Sequence, residues 1–165
     1  MSRYSIPMAN TTIAANATLV ALRSATSSST RGSVLEILSV RVSQAGVTVN
    51  QQLGILLASK AAALGTMTTG STPAPLSVGG AASGITSGTA QAAATAGVNA
   101  SAEGAGTVTN IVADSFSCLN GWLWVPTPEE RILLLPGSDP FIVKIVGTPG
   151  TLSGWSCNVV FREIV

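Results

Sequence analysis

The sequence contains no histidine and few charged residues. Lys and Arg together number 8, Asp and Glu 7, and charged side chains make up 9% of the 165 residues, against about 25% in an average soluble domain. Without histidine there is no Ser-His-Asp or Cys-His arrangement and no zinc site with a histidine ligand. The net charge of +1 gives no indication of nucleic-acid binding. We therefore expect neither catalysis by these groups nor a nucleic-acid partner.

Cysteine and long apolar runs are also scarce. Cys118 and Cys157 are the two cysteines of the chain, too few for a disulfide framework, and we expect both to be buried core residues rather than a bridge. Although 46% of the residues are hydrophobic, no run approaches the ~20 apolar residues that a membrane-spanning helix needs. The first residues lack the apolar region of a secretory signal peptide. We therefore expect synthesis in the cytoplasm and no membrane partner.

The sequence does contain a series of short segments that alternate in polarity and are bounded by glycine and proline. The segment at 34–43 alternates in its second half, and the segment at 155–162 alternates except at Val160. The segments at 53–58, 132–135 and 141–146 are short and largely apolar, of strand length. This pattern predicts an all-β protein, an antiparallel sandwich or barrel of jelly-roll type. The residues expected in its core are Leu38, Val40, Val42, Trp122, Trp124, Trp155, Val159 and Phe161.

Composition also suggests how the chain is organised. We expect an extended N-terminal arm over residues 1–12, followed by a single β domain over 13–165. Within that domain, 25 of the 32 residues from 76 to 107 are Ala, Gly, Ser or Thr, which predicts a long low-complexity loop or arm. Such a loop is either mobile or ordered against a neighbouring subunit, and its lack of charge favours contact with a neighbour.

Charge is unevenly distributed along the chain. The first 60 residues hold five basic residues and a single acidic one, Glu36. The basic residues of this part are Arg3, Arg23, Arg31, Arg41 and Lys60. Two interpretations remain open: the charges are scattered over the folded surface, or they form a basic region that binds an acidic partner.

No motif in the sequence assigns an enzymatic role. Glu129 and Glu130 are adjacent, so their side chains point in different directions and make a poor acid-base pair. We expect instead a rigid turn in which Arg131 pairs with one of these glutamates. The glycines follow neither the dinucleotide-binding nor the phosphate-binding pattern. We therefore expect that the protein is not an enzyme and uses no cofactor, metal ion or small-molecule substrate.

The three tryptophans allow two interpretations. Trp122 and Trp124 share one face of their predicted strand, and with Trp155 they can form one core cluster. Alternatively, an exposed tryptophan would serve as an interface anchor or as a platform on which a sugar stacks.

Three segments, at 34–46, 121–131 and 159–163, resemble small proteins encoded in the structural gene clusters of tailed phages. The whole chain resembles the capsid cement, or head decoration, proteins of these phages. The resemblance implies a homotrimeric β-sandwich or β-barrel that binds the major capsid protein on the capsid exterior and stabilises the head. Two alternatives remain: a receptor-binding module of a tail tip or fibre, and a small jelly-roll coat subunit.

For a cement protein, the residues expected to dock on the capsid lie in the N-terminal arm. They are Arg3 and Tyr4, with Arg23 and Arg31 as electrostatic guides. The stabilisation would come from the burial of apolar surface across several coat subunits, at about 25 cal/mol per Å² less the cost of association.

Overall fold

The computed structural model describes residues 2–27, 32–46 and 50–164. In these ranges the strands form two sheets, and the single helical element is a 3₁₀ turn at Pro128–Glu130. Within the described ranges, no helix is long and apolar enough to cross a membrane. The two sheets pack face to face, which confirms the predicted all-β sandwich.

The first sheet is antiparallel, with the strand order β10-β3-β13-β1-β6. Strand β11 also pairs with β3, at Leu35 and Glu36, whereas β10 pairs with the later residues of β3. Its strands are β1 (Arg3–Thr11), β3 (Leu35–Gln44), β6 (Ala74–Pro75), β10 (Trp122–Trp124), β11 (Leu133–Leu134) and β13 (Trp155–Glu163).

The N-terminal segment is an interior strand of this sheet rather than an arm. Strand β1 pairs with β13 along most of its length and with β6 at Tyr4 and Ser5. Its apolar residues Tyr4, Ile6 and Met8 alternate and are buried. Burial of this alternating face holds the segment in the sheet, and Pro7 is tolerated because β6 pairs only with the residues before it.

A β-bulge in β3 shifts the predicted core positions. Val160 pairs with Ser39, but the next residue, Phe161, pairs with Ile37, so Leu38 is the extra residue of the bulge. Leu38 is therefore only half-buried, and Ile37 takes the core position instead. The remaining predicted core residues are either fully buried or packed, partly buried, against the core. The fully buried ones are Val40, Val42, Trp155, Val159 and Phe161, and the partly buried ones are Trp122 and Trp124.

The second sheet has the order β5-β8-β2-β12-β4-β9, with β7 paired to β8. All its pairs are antiparallel except β7 with β8. Its strands are β2 (Thr18–Leu22), β4 (Gln52–Ala61), β5 (Thr66–Gly70), β7 (Thr86–Ser87), β8 (Thr95–Ala102), β9 (Thr107–Ser117) and β12 (Phe141–Val146).

The low-complexity segment contributes an interior strand to this sheet, contrary to the prediction of a loop or arm. Strand β8 lies between β5 and β2. A Cβ at Gly97 would lie 2.6 Å from the carbonyl oxygen of Gly88 and 2.7 Å from Cγ of Met67. Small residues are therefore needed here because the neighbouring backbone approaches closely. Before β8, the residues around Ile85 pack on the chain's own sandwich, where Ile85 is buried.

The core between the sheets is built around aromatic pairs. The rings of Tyr4 and Phe161 are 5.6 Å apart, and Phe116 meets Trp155 edge to face at 6.4 Å. Cys118 and Cys157 are buried free thiols, which confirms that they are core residues rather than a bridge. Burial raises the pKa of both thiols, so each remains protonated and unreactive.

A basic face as the candidate functional site

Among the described residues, the two exposed arginines, Arg3 and Arg41, both lie on the outer face of the first sheet. Arg3 on β1 lies opposite Arg162 on β13, and Arg162 lies opposite Glu36 on β3. Side chains directly opposite on neighbouring strands are close enough to interact, and like charges at such positions are destabilising. The register thus places two arginines side by side with one carboxylate.

Glu36 holds two guanidinium groups. Nε of Arg162 contacts one carboxylate oxygen, and Nη1 of Arg131 lies 3.4 Å from the other. Arg131 therefore pairs with Glu36 across the sheet and not, as the sequence suggested, with the neighbouring Glu129 or Glu130. The reason is that Glu36 is buried at 6% exposure, and a buried carboxylate requires charged partners. Because the single carboxylate of Glu36 neutralises only one of the two guanidinium groups, this cluster keeps a net positive charge.

A second row crosses the same face. Leu123 on β10, Arg41 on β3, Asn158 on β13 and Pro7 on β1 are in register. Leu123 and Arg41 are both exposed. Arg41 lines two shallow grooves of about 300 and 380 Å³, and Ser43 also lines both. The surface is therefore grooved rather than flat, and Arg41 lies where the two grooves meet.

These residues define the basic face: Arg3, Arg41, Arg131, Arg162, Glu36 and Leu123. Among the described strand residues of this face, Glu36 is the single acidic one. Leu123 is 64% exposed, and Val125 beyond it is 65% exposed. Arginine is enriched at protein–protein interfaces, and the buried core of an interface is more apolar than its rim. The face is therefore suited to bind an acidic protein surface.

Of the four residues expected to dock on a partner, the three that the structure describes are not brought together. Arg3 lies on the basic face, but Tyr4 is fully buried, and its hydroxyl donates to the carbonyl oxygens of Ala81 and Ala82. This is a correction, caused by the alternation of β1, which turns Tyr4 toward the core. Arg23 follows β2 of the second sheet.

Arg23 has a structural environment of its own. Its Nε donates to the carbonyl oxygen of Ser138 at 3.1 Å, and its Nη1 to that of Gln91 at 3.4 Å. Arg31 lies outside the described residues. Conversely, the sequence did not indicate Arg131 and Arg162, because only the strand register places Arg162 opposite Arg3 and only the fold brings Arg131 to Glu36.

The tryptophans do not form an exposed platform. Trp155 is fully buried, and its Nε1 donates to the carbonyl oxygen of Thr151 at 2.8 Å. Trp122 and Trp124 pack against the core, and Nε1 of Trp122 donates to Oδ2 of Asp114 at 2.9 Å. This hydrogen bond lowers the pKa of Asp114. The three indoles therefore join the core or its margin.

A second polar cluster lies on the outer face of the second sheet, and its charged groups are partnered within the chain. The carboxylate of Glu103 accepts from the backbone N–H of Thr18 at 2.6 Å, from its hydroxyl at 2.8 Å and from Nζ of Lys144 at 2.5 Å. Nζ of Lys60 donates to the backbone carbonyl oxygen of Glu103, and burial lowers the pKa of Lys60. These contacts fasten the turn before β9 to the sheet, which is a structural role.

No protein-family model, no curated protein and no solved structure matches this chain. Among the described residues, no group of three or more His, Cys, Asp or Glu side chains is placed to hold a metal ion. The basic face is therefore the feature from which a function can be inferred.

Proposed function

We propose that the protein is a structural component of a phage particle, a capsid cement or head decoration protein that binds the outer surface of the shell. The basic face is the surface that would bind. Its combination of exposed arginines with Leu123 is the observation that carries the proposal. The resemblance of the segments at 34–46 and 121–131 to phage structural proteins supports the same function, and both segments contribute to this face.

The binding mechanism would combine charge and burial. Each exposed guanidinium can form two parallel hydrogen bonds to a carboxylate of the coat protein. The exposed apolar side chains contribute about 25 cal/mol for each Å² removed from water. Opposite charges on the two surfaces would speed encounter and fix the orientation. A decoration protein held in this way would link neighbouring coat subunits and oppose outward pressure from the packaged genome.

The test is co-sedimentation of the purified protein with phage heads that lack it. Arg41→Gln removes the charge at the centre of the basic face, where the side chain is exposed. Thr68→Glu is the matched control, because it makes the same change of one charge at an exposed position on β5 of the second sheet. We expect saturable binding of the wild type, binding weakened about tenfold by Arg41→Gln, and no effect of the control.

Other outcomes would identify a different function. Equal binding by the wild type and Arg41→Gln would exclude the basic face as the docking surface. Wild-type protein that ignores heads but binds host cells would favour a receptor-binding module. Self-assembly into closed shells would favour a coat subunit.

A further inference from the structure

An apolar knob projects from one edge of the first sheet. Leu76 and Val78 follow the edge strand β6 and are exposed, Val78 fully so. The turn that carries them is closed by a hydrogen bond from the Gly80 N–H to the Ser77 carbonyl oxygen at 2.8 Å, with Gly79 at φ +77°. Positive φ favours glycine, so the turn is well specified. The knob, residues 76–80, is thus a hydrogen-bonded turn that exposes the aliphatic side chain of Val78 to water.

An apolar socket lies at the opposite edge of the sandwich. It opens between β9 and β11, encloses about 210 Å³ and is lined mainly by Ile111, Ile132, Leu133, Leu134 and Phe141. Ile111 and Leu133 remain about half-exposed at its rim. For comparison, an apolar cavity of about 150 Å³ accommodates benzene. The socket is therefore large enough for a branched aliphatic side chain.

The knob and the socket each have an exposed charged residue beside them, and these two residues are of opposite sign. The Leu76 N–H donates to the carbonyl oxygen of Arg3 at 2.9 Å, so the exposed Arg3 lies beside the knob. Asp139, also exposed, lines the socket. Opposite charges beside the two patches favour the pairing of a knob with a socket over one that brings two knobs, and two Arg3 side chains, together.

We propose that the knob of one copy of this chain inserts into the socket of the next, so that copies assemble head to tail. Strands β11 and β6 are separated by β3, β13 and β1, which is four strand spacings or about 19 Å. Two different patches on opposite edges make a heterologous contact, which closes into a ring when the rotation between copies permits. The inference concerns the free protein and does not depend on capsid binding.

The test is the molar mass in solution, measured by light scattering after size exclusion. Val78→Asp disables the knob, and Ile111→Asp disables the socket, with Leu133→Asp as a second socket variant if the first does not fold. Leu152→Asp is the control, because Leu152 is an exposed apolar residue of another loop. We expect a discrete wild-type oligomer, an unchanged control, and loss of the oligomer in each knob or socket variant.

A mixture of the two defective variants distinguishes this geometry from a symmetric interface. The Ile111→Asp chain keeps its knob and the Val78→Asp chain keeps its socket, so an equimolar mixture should form a one-to-one pair and nothing larger. A monomeric wild type, an oligomer that survives both variants, or a mixture that stays monomeric while the wild type assembles would each overturn the proposal.

Discussion

Glu103 shows how one side chain can fix a loop and make stability depend on pH. Burial alone would raise the pKa of this carboxyl, but hydrogen bonds from Lys144 and Thr18 outweigh it and lower the pKa. A carboxyl with a lowered pKa in the folded state contributes stability that is fully present above the unfolded pKa of about 4.3. That contribution is lost as pH falls through the folded value.

We therefore predict that Glu103→Gln lowers the free energy of unfolding near neutral pH by about 1–2 kcal/mol, because Lys144 loses its charged partner. The difference from wild type should shrink as pH falls below about 4. Urea denaturation near neutral pH and again below about pH 4 measures this difference in the free energy of unfolding. Glu129→Gln, at an exposed position of the 3₁₀ turn, is the control and should change neither value; a Glu103→Gln deficit that is the same at both pH values would contradict the prediction.

Single residues also mark the limit of prediction from sequence. The alternation of Val40 and Val42 is enough to assign both to the core, where they lie. Leu38 fits the same alternation and still leaves the core, because the bulge is set by pairing with Val160 and Phe161 far along the chain. The partner of Arg131 was missed for the same reason, since Glu36 is a neighbour only through the register of β3 and β11.

Strands were predictable where large apolar side chains mark the buried face. Strand β12 has the bounds expected, Phe141–Val146, and β13 alternates throughout. Strand β8 was missed because its buried face consists mainly of alanine and glycine, which give little hydrophobic contrast. Its place in the sheet comes instead from steric fit, since a larger residue at its centre would collide with the neighbouring backbone.

Gly97 tests this explanation. We predict that Gly97→Ala lowers the free energy of unfolding by about 1–3 kcal/mol, the range for overpacking a close contact, because the added Cβ meets the backbone of Gly88. Chemical denaturation gives the value. Gly150→Ala is a suitable control, since the nearest atom to its Cβ is a side-chain oxygen of Gln51 at 3.3 Å, which can move. Equal stability of the two variants would argue against a steric requirement in β8.

At the scale of the molecule, the proposed contacts occupy different parts of the sandwich except at Arg3, which belongs to the basic face and also borders the knob. The basic face lies on the outer side of the first sheet, whereas the knob and the socket lie at its two edges. A ring built through the edges would therefore present several copies of the basic face, and the combined binding of those copies exceeds that of one. An acidic partner was one of two interpretations left open by the basic residues of the first 60 positions, but the face itself required the fold.

The ionic character of the proposed docking leads to a prediction for the assembled particle. Attraction between exposed charges is screened, with a Debye length near 10 Å at 0.1 M salt and about 3 Å at 1 M. Release of the protein from heads should therefore accelerate as salt rises. Arg41→Gln should show a shallower salt dependence than wild type, and Thr68→Glu an unchanged one. Release that is independent of salt would leave apolar burial as the sole attraction.

The protected thiols have a practical consequence. Because both native cysteines are buried and remain protonated, a cysteine introduced at an exposed position such as Thr68 would be the one thiol that reacts quickly with maleimides. A dye, a peptide antigen or an enzyme could then be attached once per chain, on the sheet opposite the basic face. Docked on a phage head as proposed, the chain would then carry that label on the surface of the particle.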